Sequence, residues 1–369
     1  MKNLPVDSNY LSDMLMRLLH IPSPTGYTDS IVHFACSQLD RLHIPYELTR
    51  RGAIRATLKG KRASPDRAIV AHLDTLGAMV KTLKDNGRLE VIPIGHWNAR
   101  FAEGARVTVE TDSGAYRGTI LPLKASGHTF HREIDTQPSA WDNLEVRIDT
   151  HCASRDDLMR HGFHVGDYVA IDPNPEMLDN GYINSRHLDD KAGVAVVFAA
   201  AKAIVESDIT LPVDCHLLFT VSEEVGSGAS AVLHQDVAEM VTVDNGTTAP
   251  GQNSSEFGAT IAMADSSGPY DYHLTHRLLN LCKEFGIPHQ RDVFKYYHSD
   301  SAAATAAGND LRTALICFGI DGSHGWERIH ISALLALSEL LTYYVQSRPL
   351  YMRDRFELGP LPGFPTQPS

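Results

Sequence analysis

Histidines and acidic residues stand at the ends of apolar segments in this sequence. His72 and Asp74 follow the apolar run that ends at Ala71, and Glu223 and Glu224 follow another apolar run. Residues two apart on an extended chain point the same way, so Asp74 could orient the His72 ring while the imidazole binds a metal ion. The adjacent glutamates diverge, so one could bind a metal while the other faces the water that the metal activates.

Three further candidates occupy comparable positions. Asp189 opens a strongly apolar helical pattern, Asp244 ends a third apolar run, and His324 lies in a Gly-rich loop after a fourth. Two imidazoles and several carboxylates, with no cysteine among them, are typical ligands of zinc, cobalt or manganese. Because three carboxylates and one hydroxide would balance two divalent ions, charge counting favours a pair of ions.

The elements that position these residues alternate between helix and strand in both halves of the chain. Helical spacing predicts helices over residues 9–20, 29–42, 188–205, 270–284 and 330–346. Short apolar runs predict buried strands over residues 53–59, 67–72, 213–222, 240–244 and 313–318. Since α/β sheets bind ligands at the carboxyl ends of their strands, the candidate residues are expected to meet at one edge of a sheet.

Residues 78–174 have a different pattern. Short β-prone runs alternate with turn signals, and no long helical pattern appears there. We therefore predict an α/β fold in two parts. Residues 1–77 and 175–369 form a mixed sheet flanked by helices, and residues 78–174 form an inserted small all-β domain, a barrel or a sandwich.

Composition narrows the classes of function. The 369 residues carry a net charge of -12 and no basic stripe, so nucleic acid is not an expected partner. The longest apolar run, residues 192–201, is too short to cross a membrane, and the first ten residues lack the apolar stretch of a secretory signal. Five scattered cysteines suggest reduced thiols, so we expect a cytoplasmic location.

The motifs together resemble the glutamyl aminopeptidase family of co-catalytic metallopeptidases, whose members often assemble into tetrahedral particles. The resemblance covers nearly the whole chain and rests on the order and spacing of Pro22-Ser23-Pro24-Thr25-Gly26, His72-x-Asp74-x-x-Gly77, Leu188-Asp189-Asp190-Lys191, Glu223-Glu224-Val225-Gly226, Asp244 and Gly322-x-His324. The opening 25 residues also resemble a subgroup found in gene clusters for a bacterial N-acetylglutaminylglutamine amide osmoprotectant. One segment departs from the family, which commonly has Thr-Asp and small residues where this chain has His298-Ser299-Asp300-Ser301-Ala302.

This resemblance implies a metal-dependent aminopeptidase that removes N-terminal residues from peptides. It implies two divalent metal ions, zinc first and cobalt or manganese as alternatives, a homo-oligomer such as a dodecamer, and a PDZ-like inserted domain. It also implies a role for each candidate residue: His72 and Asp244 bind one metal, Glu224 and His324 bind the other, Asp189 bridges both, Asp74 orients His72, and Glu223 is the general base and acid.

The sequence is also compatible with other functions. A glycoside hydrolase needs two carboxylates around a sugar bond, but the two histidines would then have no purpose. A specialised peptide-like osmolyte is an alternative substrate, and a non-catalytic metal-binding scaffold is a third alternative. Glu223 argues against the scaffold, because a binding protein needs no base beside its ligands. A serine hydrolase is not indicated, since no Gly-x-Ser-x-Gly motif is present.

Overall fold

The computed structural model describes residues 1–356 and 358–368. Its helices are Ser8–Leu19 (α1), Asp29–Arg41 (α2), Gly127–Phe130 (α3), Glu133–Thr136 (α4), Arg155–Arg160 (α5), Leu188–Val205 (α6), Tyr272–Phe285 (α7), Asp300–Ala306 (α8) and Ile331–Gln346 (α9). Its strands are Tyr46–Leu48 (β1), Ile54–Leu58 (β2), Asp66–His72 (β3), Gly77–Leu83 (β4), Leu89–Ile94 (β5), Arg106–Thr111 (β6), Gly114–Pro122 (β7), Leu144–Ile148 (β8), Tyr168–Ile171 (β9), Glu176–Met177 (β10), Tyr182–Ser185 (β11), Cys215–Thr220 (β12), Val237–Thr247 (β13), Ala259–Asp265 (β14), Gly268–Pro269 (β15), His289–Val293 (β16), Arg312–Ile320 (β17) and Glu327–His330 (β18).

A mixed nine-stranded sheet forms the larger part of the molecule, in the order β1-β2-β12-β3-β13-β17-β14-β15, with β16 paired to β14. Its centre is parallel, since β3 pairs in parallel with both β12 and β13, and β13 pairs in parallel with β17. Every residue of β3 and of β12 is buried. These strands read as continuous apolar runs because helices cover both faces of a parallel sheet.

Helix α6 is apolar almost all the way round, because it is enclosed on every side. It packs against α1, α9 and the strands β3 and β13, and nearly all of its residues are buried. Its first residues, which include Asp189, are held at the carboxyl edge of the sheet by this packing. A three-stranded sheet, β10-β11-β18, contacts the amino end of α6, where the Glu327 side chain of β18 accepts the Asp189 backbone N–H.

The inserted unit is a closed barrel of six antiparallel strands, β4-β5-β8-β7-β6-β9, with its own apolar core. The predicted fold class is thereby confirmed: a mixed α/β sheet flanked by helices and interrupted by a small β unit. Short helices α3, α4 and α5 also occur in the insert, and their four to six residues are too few to show an apolar period. The domain limits at residues 77/78 and 174/175 stay a prediction.

The sequence did not predict strands β14 and β16 or helix α8. β14 contains three alanines and ends in an aspartate, which gives it a weak strand propensity. Helix α8 has only seven residues, fewer than the helical periodicity needs for detection. Across the described residues, every helix is too short or too polar to traverse a lipid bilayer.

Candidate metal centre

The carboxyl edge of the central strands brings the predicted residues together. His72 is the last residue of β3, and Asp244 lies in the neighbouring β13. Glu223 and Glu224 form a short 3-10 turn after β12, which is the other neighbour of β3. Asp189 enters from the start of α6, and His324 from the loop between β17 and β18. Five separate segments therefore converge at one point.

Asp189 stands between the two histidines, with one carboxylate oxygen facing each ring. The distance from Asp189 Oδ1 to His72 Nε2 is 3.2 Å, and that from Oδ2 to His324 Nε2 is 3.3 Å. The glutamates lie next to the same rings, with 3.7 Å between Glu223 Oε2 and His72 Nε2 and 3.7 Å between Glu224 Oε2 and His324 Nε2. This is the arrangement of a carboxylate that can bridge two cations.

Two groups of ligand atoms are close enough to hold an ion. One atom each from His72, Asp190 and Asp244 lie within 4.8 Å of one another, and so do atoms from His72, Asp189 and Glu224. His324 adds its contacts to Asp189 and Glu224 at the second group. Nitrogen and oxygen donors in such sets are those that divalent metals such as zinc accept.

The cluster holds far more acid than base. Within the described residues, its carboxylates form ion pairs with His72 and His324, and none with a lysine or arginine. Buried carboxylates without a cation are costly, so this donor set fits divalent metal ions. The residues of this cluster therefore fit the divalent metal ions that the sequence implies.

The pKa values of these side chains reflect the same crowding. Burial raises the pKa of Glu224 to about 8 and that of Asp244 to about 7, with Asp189 adding to both effects. Burial also raises the pKa of Glu223 well above its usual value, helped by Asp244 and opposed by His72. Asp189 differs: burial opposes its ionisation, but hydrogen bonds with both histidines outweigh it and lower the pKa.

Asp74 supports the site in a different manner from the predicted one. Its backbone carbonyl lies 2.9 Å from His72 Nδ1, whereas its carboxylate Oδ1 is 3.6 Å from that nitrogen. The carboxylate instead accepts the backbone N–H groups of Glu223 and Glu224, at 3.1 and 3.3 Å. The hydroxyl of Thr25 also donates to it, at 2.7 Å, so a residue of the first predicted motif reaches the site.

Three contacting residues had no predicted role. The Asp190 carboxylate accepts the His72 backbone N–H at 3.0 Å, and Asn245 donates from Nδ2 to Asp189 Oδ2 at 2.7 Å. Glu327 accepts two backbone N–H groups, from His324 at 2.9 Å and from Asp189 at 3.2 Å. Each is adjacent in sequence to a predicted residue or within three positions of it. That proximity was the only signal in the sequence.

A cavity of ≈ 500 Å³ opens onto the cluster. Its walls contain four of the candidate acids, Tyr297, and His298, which is the first residue of the segment that departs from the family pattern. Asp300 of that segment does not enter the cavity wall. It is buried and accepts hydrogen bonds from Thr220 Oγ1 and the Ala229 backbone, so it holds the loop after β12 in place.

Fold and site together define an α/β metallohydrolase whose metal ligands come from the carboxyl edge of a mixed sheet. The M42 glutamyl aminopeptidase family matches residues 52–340 of the chain. The protein YhfE of Bacillus subtilis (strain 168) is 38% identical over 336 residues, which are 91% of this chain and 97% of YhfE. The chain belongs to the M42 glutamyl aminopeptidase family and is a metal-dependent aminopeptidase of that class.

Solved structures agree with this fold. The TET aminopeptidase from the marine sediment archaeon Thaumarchaeota archaeon SCGC AB-539-E09 superposes with a TM-score of 0.83 at 18% identity, over 91% of this chain and 96% of that one. The TET1 peptidase of Pyrococcus horikoshii gives a TM-score of 0.80 at 22% identity, over 91% and 99%. That peptidase can assemble into a tetrahedron or a large octahedral shell.

Proposed function

We propose that this protein removes N-terminal residues from peptides with the help of two divalent metal ions. The observation that carries the proposal is the position of Asp189, which lies 3.2 Å from one imidazole and 3.3 Å from the other. A carboxylate placed in this way can bridge a pair of ions. The membership of the chain in the M42 family supports the same conclusion.

We assign the ligands as follows: His72 and Asp244 on one ion, Glu224 and His324 on the other, and Asp189 on both. When bound, the pair would polarise the scissile carbonyl and make the attacking water more acidic. Zinc is our first choice, with cobalt or manganese as alternatives, because all three accept mixed nitrogen and oxygen donors. Asp74 holds the His72 ring through its carbonyl and the two glutamates through its carboxylate.

Glu223 is proposed as the general base and acid. It lines the cavity beside the ligands, and its Oε2 is 3.7 Å from His72 Nε2. From this position its carboxylate can take a proton from the attacking water and return it to the leaving amine. The Asp74 carboxylate accepts the Glu223 backbone N–H and so fixes the backbone there. This limits how far the Glu223 carboxylate can move.

The test is a turnover assay on aminoacyl p-nitroanilides and short peptides with zinc, cobalt or manganese added. Glu223→Gln should retain both metals and lose about 10²- to 10⁴-fold in turnover, because the amide cannot take the proton. Glu206→Gln, at the exposed residue that directly follows α6, is the matched control and should keep its activity. If the Glu223 variant works at a normal rate, Glu223 is not the base.

A homo-oligomer, with a dodecamer as the expected size, is part of the proposal. It is supported by the resemblance to the family and by the assemblies of the Pyrococcus horikoshii peptidase. Light scattering on the purified chain should give a mass of about twelve subunits. A cytoplasmic location stays a prediction, consistent with five cysteines that form no disulfide in the described residues.

Three classes of substrate can be separated by assay. The resemblance of the opening residues to the osmoprotectant subgroup gains no support from the relatives described above. An N-acetylated dipeptide amide and a glucan should therefore be assayed beside the aminoacyl substrates. Preferential hydrolysis of the dipeptide amide would point to the specialised substrate, and hydrolysis of the glucan alone would contradict the peptidase proposal.

A further inference from the structure

Among the described residues of the cavity wall, Asn245 is the one amide beside the acids of the site. It follows the proposed ligand Asp244 in β13, is 2% exposed, and lines the cavity. Its Nδ2 lies 2.7 Å from Asp189 Oδ2 and 3.1 Å from Asp244 Oδ1. A single NH₂ group therefore contacts the carboxylates of two proposed ligands.

These contacts fix the orientation of the amide. A reversed amide would place its oxygen 2.7 and 3.1 Å from two carboxylate oxygens, which is repulsive, so Nδ2 must face the carboxylates. The amide oxygen is consequently turned away from them. Among the described residues, none donates a hydrogen bond to it. The result is a fixed, neutral acceptor in a residue that forms part of the cavity wall.

An aminopeptidase must recognise the free α-amino group of its substrate, which offers N–H donors and often a positive charge. The carboxylates of the cavity wall already serve as metal ligands or as the general base in the proposed function. They belong to Asp189, Glu223, Glu224 and Asp244. We infer that Asn245 Oδ1 accepts a hydrogen bond from the substrate's α-amino group and so selects peptides with a free N-terminus. This inference rests on the proposed function.

Two ligands that differ only in the amine provide the test. Leucine hydroxamate carries the α-amino group, and 4-methylpentanoic hydroxamate is the same molecule without it. In the metal-loaded protein, Asn245→Ala should lower the affinity for leucine hydroxamate about 10- to 100-fold, which is the contribution of one hydrogen bond to a charged group. The same variant should lower the affinity for the des-amino ligand less than about 3-fold. Titration calorimetry measures both, with the metal content of each sample determined by elemental analysis.

The control is Asn86→Ala, the same change at an exposed asparagine in the turn between β4 and β5, outside the cavity wall. Its affinity for both ligands should match that of the unaltered protein. If Asn245→Ala does not fold, Asn245→Ser is measured with the same ligand pair, because the ratio between the two ligands is the readout. Equal losses for both ligands would show that Asn245 only positions Asp189 and would overturn the inference, as would no loss for either.

The two proposals fail in different ways. If the unaltered protein binds neither hydroxamate and cleaves no aminoacyl substrate, the proposed function is wrong. If the unaltered protein cleaves aminoacyl substrates but Asn245→Ala keeps its preference for the amine-bearing ligand, only the role of Asn245 is wrong.

Discussion

The two ends of strands β3 and β13 treat buried charge in opposite ways. At the amino end, Arg67 of β3 is paired in register with Glu239 of β13, and Arg67 Nη2 lies 3.3 Å from Glu239 Oε2. The Tyr344 hydroxyl donates to the same carboxylate at 3.0 Å, and the Arg67 guanidinium lies over the Tyr344 ring. One cation and one anion are balanced there within the protein.

At the carboxyl end the same strands present His72 and Asp244, surrounded by further acids. No arginine or lysine of the described chain forms an ion pair with that group. The comparison shows how one fold separates stability from function. At the amino end Arg67 and Glu239 neutralise each other within the protein, whereas the carboxyl end is left short of positive charge and fits cations from outside.

The largest effect on stability is expected at the amino end. Arg67→Leu leaves the buried Glu239 carboxylate without its cation and should lower the free energy of unfolding by about 3–5 kcal/mol. Adding Glu239→Leu should restore much of that loss. Urea unfolding of the two single variants and the double variant measures this coupling. If Arg67→Leu lowers the free energy of unfolding by less than about 1 kcal/mol, the amino end does not depend on its internal charge pair and the proposed difference between the two ends is wrong.

A smaller effect is expected from the support of the metal centre. Glu327→Gln keeps only one of the two acceptors that hold the His324 and Asp189 backbones, so these ligands should be less well placed. We expect affinity for one of the two ions to fall about 10- to 100-fold, as is usual when a supporting contact is lost. Competition with a chelating dye measures this metal affinity. Glu256→Gln, which alters the partner of Arg328, should leave affinity unchanged.

The smallest effect concerns Glu145 in the barrel, a buried carboxylate that has protein cations. Burial raises its pKa, but hydrogen bonds from Lys84 and Arg88 outweigh burial, so the pKa in the folded barrel is lowered. The stabilisation is therefore complete above the unfolded pKa of about 4.3 and is lost as the pH falls through the lower folded value.

Glu145→Gln should thus cost about 1 kcal/mol at pH 7, since the three cations that pair with Glu145 (Lys84, Arg88 and Arg147) are partly exposed and can be hydrated. The difference from the unaltered protein should shrink as the pH falls below about 4. Urea unfolding at pH 7 and pH 3.5 makes the comparison. A cost that stays the same at both values would show that the charge of Glu145 is not its source.

The sequence allowed much of this site to be predicted because its residues follow strong local patterns. Apolar runs ending in His72, Asp244 and the glutamate pair marked the carboxyl edge of a parallel sheet without any tertiary information. Asn245 and Glu327 were not foreseen, because their roles depend on contacts with Asp189 over 56 and 138 residues. The role of the Asp74 carboxylate was likewise hidden, since it depends on how the loop after β12 folds back.

The central claim is that the carboxyl edge holds two cations around Asp189. Its most direct test is elemental analysis of the purified protein, combined with anomalous diffraction from crystals grown with zinc. We predict two ions per chain, one beside His72 and Asp244 and the other beside His324 and Glu224, with one of the two lost in His324→Ala. A single ion, no ion, or ions bound away from Asp189 would contradict it.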